Sequence, residues 1–427
     1  MNRKILNIAL PSIVSNITVP LLGLADTAIS GHMGSAAYIG AVAVGSMIFN
    51  VIYWIFGFLR MGTSGMTSQA LGRRDLDGLM SLLARSITVA VGIATVIIVM
   101  QLPIGNLALT LINPSADILP AARTYFRICV WGAPAMLCLY SLTGWYIGMQ
   151  NTRLPMFISI MQNVVNIAAS LTFVYGMGMK VEGVALGTLT AQYAGLFVSL
   201  FLWSHTYGAR LFHRIHWREI IDGAAMKSFF TVNRDIFFRT LFIVSVNFYF
   251  LSAGASQGTI VLAVNTLLMQ LFTLFSYVMD GFAYAGEALC GRLHGAGNRL
   301  ELNRTIKRLF VWGTSLAVGY TIVYAAGGKA FLTLLTDNVD VINASTVYFH
   351  WAVLIPLCGM AAFVWDGVFI GTTSTRDMLV SSAVATVVFF GVNIALRQQL
   401  HNHALWIAFL VYLLMRGVLQ TVLFKRQ

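Results

Sequence analysis

The stretch GWYIGMQNTRLPM, residues 144–156, returns further along the chain as GVFIGTTSTRDML, residues 367–379. Gly144 and Gly367, Ile147 and Ile370, Gly148 and Gly371, Thr152 and Thr375, and Arg153 and Arg376 all match at an offset of 223 residues. Upstream, Leu111/Leu334, Asp117/Asp340, Ala121/Ala344, Tyr125/Tyr348 and Phe126/Phe349 keep that register. Earlier still, GFLRMG (57–62) meets GFAYAG (281–286) at an offset of 224. So many identities in one register point to an internal duplication. Each copy carries Gly-x-x-x-Gly, the spacing that lets helices approach closely in lipid. Its four glycines are expected to pack helices and to take no direct part in binding.

Of the 427 residues, 58% are hydrophobic and 10% are charged, and the mean hydropathy is +0.78. A soluble domain carries about 25% charged residues, so the chain reads as a polytopic membrane protein. Apolar stretches of about 20 residues fall near 8–30, 38–60, 85–106, 124–148, 155–177, 184–205, 233–254, 258–282, 308–328, 344–371, 379–398 and 404–424. The basic start MNRKILNIALPSIVSN runs into too long an apolar run, without a small-x-small cleavage site, and reads as an uncleaved first span.

With the N-terminus inside, the cytoplasmic connections hold 19 Lys and Arg and the opposite set holds 5. Arg60, Arg239 and Arg416 fall near span ends and stand outside that count. The positive-inside rule then places both termini in the cytoplasm, across the inner membrane. Because six spans per copy is an even number, the copies share one orientation. The fold class is therefore all-α polytopic, with twelve transmembrane helices in two parallel-repeat lobes: 1–205, a cytoplasmic linker at 206–232, and 233–427. The linker, with Leu211, Phe212, Ile215, Trp217 and Ile220 among basic residues, reads either as a surface helix or as a solvated connection.

The +12 formal charge does not indicate nucleic acid, because the basic residues sit in short loops and form no stripe. The four cysteines, Cys129, Cys138, Cys290 and Cys358, make no CxxC pair, so neither zinc nor a disulfide frame is expected. His213 and His216 lack a third ligand. No metal-ligand cluster, Ser/His/Asp set or phosphate loop lies at membrane depth, so an enzyme is the weakest reading and no cofactor is called for.

A carboxylate at the bilayer centre costs roughly 2.5–3.5 kcal/mol on insertion scales. Asp26 and Asp366 are the clearest cases. Asp235, Asp280 and Glu287 read as helix-end charges pairing with an Arg such as Arg234 or Arg292. No Lys or Arg lies between Lys4 and Arg60. On a helix Asp26 has Leu22, Gly23, Ile29 and Ser30 for neighbours. A desolvated carboxyl without a counter-charge holds a proton readily, which suits it to carrying one across a membrane; the alternative is an acid bonded permanently to another helix. The fifth span, MFISIMQNVVNIAASLTFVYG (156–176), puts Asn163, Asn166 and Ser170 on one face. The sixth span adds Thr188 and Gln192, four apart. The second copy offers Asn265, Gln270 and Tyr277 but has no acid at the Asp26 counterpart near Tyr249. Cation handling therefore falls to the first lobe. The 19 Met and 28 Phe make any cavity soft and adaptable.

With PLLGLADTAISGHMG (20–34) in the first span and DGVFIGTTSTRDM (366–378) in the second half, the chain resembles the multidrug and toxic compound extrusion (MATE) family over essentially its whole length. NRDIFFRTLFI (233–243) and SYVMDGFAYAGEALCG (276–291) resemble its DinF-type branch. The resemblance implies antiport of amphipathic, often cationic, drugs against H+ or Na+ by rocking of two lobes, in a monomer. It also implies that Asp26, Asn166 and Thr188 form a cation site and that the first helix bends at Pro11 or Pro20. Where many prokaryotic members carry a second Asp, this chain has Ser170. One hard anionic ligand fewer favours H+ over Na+. The substrate cavity is expected to draw on Asn163, Gln192, Asn265, Gln270, Tyr277 and Asp366, the last with an open role. A flippase for lipid-linked saccharides is the rival of similar architecture. It would line its cavity with several arginines, whereas nearly all arginines here sit in loops.

Overall fold

A computed structural model describes residues 1–214 and 220–426. Ile215, His216 and Trp217 of the linker lie outside them. Twelve helices among the described residues are long and apolar enough to cross a membrane, in the order in which the apolar stretches occur. They are α1 (Asn2–Gly31); α2 (Ala36–Phe56) continuing as α3 (Phe58–Arg73); α4 (Leu76–Val99); and, after a short apolar α5 (Gln101–Ile112), α6 (Leu119–Cys129) continuing as α7 (Ala133–Gly148). Then come α8 (Arg153–Leu171), α9 (Val181–Trp203), α10 (Gly223–Ala255), α11 (Thr259–Gly295), α12 (Arg299–Leu335), α13 (Val339–Gly371), α14 (Thr375–Leu400) and α15 (Asn402–Phe424). Large apolar side chains such as Val99, Phe197, Phe248 and Val387 point outward, which costs nothing when the solvent is lipid.

The chain divides into two compact units, Val14–Asn233 and Met1–Ile13 with Arg234–Gln427. The reading from sequence assigns residues 1–13 to the first lobe. In the structure they group with the second, because Ala9 and Ile13 pack on Gly281 of α11 and Asn2 accepts a 3.0 Å hydrogen bond from Arg308 of α12. α1 is one helix from Asn2 to Gly31, through both Pro11 and Pro20; each proline deletes one backbone donor.

In the first unit the core gathers around Trp145, Tyr146 and Trp203. Trp145 donates its indole N–H to the Leu79 carbonyl at 3.1 Å, and Tyr146 donates its hydroxyl proton to the Ser199 backbone carbonyl at 2.7 Å. Their polar ends are thereby satisfied at full burial. Thr63, Ser86 and Ser141 link α3, α4 and α7 through two 2.7 Å hydroxyl contacts. In the second unit Phe250, Phe389, Trp406, Phe409 and Tyr412 form the corresponding mass, with Phe250 edge-on to Trp406 at 4.9 Å.

The duplication reappears as a shared crossing. Gly144 of α7 lies on the backbone of Arg60, and Gly367 of α13 lies on that of Ala283. One turn on, a Cβ at Gly148 would sit 2.8 Å from the Ser64 carbonyl oxygen, and one at Gly371 would sit 2.7 Å from that of Glu287. Corresponding glycines press on an earlier helix of each unit at positions 223 apart, one residue off the register of GFLRMG and GFAYAG, so the glycine spacing serves close packing in both. Gly148→Ala and Gly371→Ala are expected to destabilise by about 1–3 kcal/mol through overpacking. Gly92→Ala, with nothing within 4 Å, should be neutral or gain up to about 1 kcal/mol from helix propensity. Thermal unfolding of the purified protein in detergent reads the difference. Equal midpoints for all three would remove the packing argument.

Candidate functional site

Asp26 lies five residues before the C-terminal end of α1 and is 4% exposed. It is buried because α8 and α9 close over it: the side chains of Asn166 and Thr188 reach its carboxyl. Asn166 is fully buried and donates Nδ2–H to the Thr188 hydroxyl at 3.1 Å. That hydroxyl is also 3.2 Å from the Val184 carbonyl. Asp26 Oδ1 and Asn166 Oδ1 are both buried and have no hydrogen-bond donor among the described residues. Buried acceptors without a donor are costly in a low-dielectric interior. A proton on the carboxyl, or a small cation, would satisfy these oxygens.

The other polar residues of α8 are placed by the same face. Asn163 donates to the Thr18 carbonyl at 2.9 Å, and Ser159 meets the Thr18 hydroxyl at 2.7 Å, so this part of the stripe fastens α8 to α1. Ser170 is fully buried against the backbone of Gly187 on α9, with its hydroxyl unpartnered. On α9, Gln192 stands one turn from Thr188, presses its Oε1 onto Gly132 and reaches Tyr53. Asn166, Thr188 and Asp26 therefore meet. Asn163 and Ser170 are held by packing on either side of them.

Tyr125 of α6 belongs to this group, and reading the sequence does not find it. Its side chain reaches Thr188 and lies close enough to Asp26 to feel the carboxylate charge, and its hydroxyl is 3.4 Å from Ser46. Its ring fits over Gly45, which is why α6 comes so near. The one sequence signal was its match to Tyr348 in the repeat. Two cavities of about 570 and 560 Å³ open elsewhere in this unit. The first is apolar, between Ile52, Val89, Ile93 and Phe230, and the second is mixed, between Arg73, Asp75, Arg85 and Asp222.

The residues singled out in the second copy fare differently. Asn265 is fully buried, and its amide is committed. It exchanges two 2.9 Å hydrogen bonds with Asn402 and accepts a third, at 3.0 Å, from Trp406. The structure gives it the role of joining α11 to α15, with no atom left for a cavity. Gln270 is exposed and Tyr277 is half-buried on α11.

Asp366 is enclosed. Arg239 of α10 pairs with its Oδ2, Arg416 of α15 donates to the same oxygen at 2.6 Å, and Gln420 donates to Oδ1 at 2.8 Å. Two of the three arginines left out as span-end residues, Arg239 and Arg416, are its partners, both 6% exposed. Asp235 pairs with Arg234 at 3.1 Å, as its position suggests, and accepts from Thr375 at 3.2 Å.

Two stretches, 11–172 and 236–395, match the MatE family model, one in each half and in the register of the duplication. DNA damage-inducible protein F of Escherichia coli (strain K12) is 34% identical over 439 residues, covering 100% of this chain and 92% of that protein. Multidrug resistance protein MdtK of Edwardsiella ictaluri (strain 93-146) is 22% identical over 390 residues, covering 90% of this chain and 84% of that one. The fold superimposes on a crystal structure of MATE in the bent conformation with a TM-score of 0.90. That match is 17% identical and covers 100% of this chain and 95% of the other. Twelve span-length helices, a duplicated family signature and a full-length relative converge: the chain is a multi-pass transporter, not an enzyme, and it belongs to the MATE family.

Proposed function

We propose that this transporter extrudes amphipathic, cationic small molecules in exchange for protons carried by Asp26, as a monomer in the inner membrane with both termini cytoplasmic. The observation that carries the reading is the pair of buried, unsatisfied acceptors Asp26 Oδ1 and Asn166 Oδ1. A proton on the carboxyl supplies a donor there, and its loss leaves an anion that attracts a cationic drug. The two ligands therefore compete for one charge, which is the requirement for exchange. Na+ finds weaker provision. Among the described residues at this site, Asp26 is the anionic ligand, and Ser170 contributes a neutral hydroxyl turned onto the Gly187 backbone, whereas hard cations favour several anionic oxygens. A relative named as a multidrug resistance protein agrees with the cargo class. Bending of α1 at Pro11 or Pro20 would open the pocket, since each proline already breaks the helical hydrogen-bond ladder.

Proteoliposomes loaded with a fluorescent lipophilic cation, such as ethidium, test the coupling. A pH gradient imposed at equal Na+ should drive transport, and a Na+ gradient imposed at equal pH should not. Transport driven equally well by Na+ alone would replace the proton with Na+ at Asp26.

A further inference from the structure

The cluster around Asp366 does not balance its charge. It holds two guanidinium groups and one carboxylate, all on buried side chains. The carboxylate is fully used. Oδ2 receives Arg239 and Arg416, and Oδ1 receives Gln420. Among the described residues, no other acid forms an ion pair with either arginine. Asp235, one turn from Arg239 on the same helix, is taken by Arg234 and Thr375. The charges that act on Asp366 are these two guanidiniums, and the carboxylate acting on Arg416 is that of Asp366.

A guanidinium carries five N–H donors and stays charged at any working pH. Here Arg239 Nε and Arg416 Nε are both buried and unpartnered, and so is the Gln420 carbonyl oxygen. The Arg416 guanidinium also lies 5.5 Å from the Tyr412 ring centre, a contact that steadies the cation but supplies no counter-charge. Two buried donors on two cations, beside a carboxylate already saturated, form a site short of one negative charge. In a low-dielectric interior such a deficit is filled by an ion of opposite sign.

We propose that Arg239 and Arg416, with Asp366 between them, form a binding site for a compact monovalent anion. That anion is either a halide from solution or the carboxylate of an amphipathic cargo. Either one takes the surplus N–H donors, brings the cluster to neutrality and clamps α10, α13 and α15. Two roles follow for Asp366: it holds the arginines parallel, and it limits the site to one charge, excluding divalent phosphates.

The purified protein in detergent tests this without any transport assay. Thermal unfolding followed by tryptophan fluorescence suits the site, because Trp365 adjoins Asp366 and is fixed by a 2.7 Å hydrogen bond to Thr421. At constant ionic strength and pH, replacing gluconate with chloride should raise the melting midpoint by a few degrees. Arg416→Gln neutralises the cluster and should abolish the response. Asp366→Asn raises the surplus and should lower the half-effective chloride concentration roughly tenfold or more, as expected for one charged hydrogen-bonding partner. If Arg416→Gln does not fold, Arg239→Gln and Asp366→Asn carry the same comparison. Benzoate replaces chloride in a second arm. Saturation by benzoate alone identifies a cargo carboxylate, and saturation by chloride identifies a solution halide. Identical midpoints in all three salts, or an equal chloride response in the wild type and both variants, would overturn the proposal.

Discussion

Asp26→Asn should build no drug gradient from a pH gradient, whereas wild-type protein should build about a tenfold gradient per pH unit for one-to-one exchange of a monovalent cation. The factor follows from energy balance, since one pH unit is worth about 1.4 kcal/mol, a tenfold ratio at equilibrium. Asparagine keeps the size of the acid and its contact with Asn166 and Thr188, and it imitates the protonated carboxyl. The protein should therefore fold, with a stability change within about 1 kcal/mol. What it loses is a group that alternates between neutral and negative. Drug–drug exchange across the membrane should persist, because it requires movement but no proton. Measuring both modes in the same proteoliposomes separates coupling from transport. Intact proton-driven accumulation by Asp26→Asn would move the proton to another group.

Asp366→Leu should cost about 3–5 kcal/mol, because it leaves Arg239 and Arg416 buried without a carboxylate. The combined variant Asp366→Leu, Arg239→Met, Arg416→Met should regain most of that loss. Apolar side chains of similar volume often match or exceed a buried ionic cluster in stability. The contrast isolates the charge from the shape. A single change no worse than the triple would mean that the arginines find water or another acid. Thermal midpoints or guanidinium titrations of the purified protein in detergent read both. Asp26 and Asp366, the two acids most plainly set inside apolar spans, thus divide their roles. One faces neutral amides and hydroxyls, and the other is held between cations.

That division was half readable from the chain. Asp26 announced itself because the stretch from Lys4 to Arg60 contains no basic residue; its isolation is a property of sequence. Asn166 and Thr188 were found because a helical stripe is periodic. Asp366 gave no such sign. Its partners lie 127 and 50 residues away, on two other helices. Arg416 stands inside VYLLMRGVLQ (411–420), a lone charge in an apolar run, and the argument applied to Asp26 would have flagged it. Tyr125 had no chemical signal, since a tyrosine near a span end reads as an interface anchor.

The sequence by itself determined the number and order of the spans, the duplication and the family. Each of these is written in hydropathy or in residues matched at one offset, and lipid leaves the backbone no choice but helix. The tertiary structure alone decided which intramembrane polar groups are free and which are spent. Asn265 and Asn166 look alike along the chain, yet one is closed by Asn402 and Trp406 while the other keeps an open oxygen beside Asp26. A polar side chain in lipid must find a partner. Which partner it finds depends on how distant helices pack, and that information is spread over every residue of their interfaces.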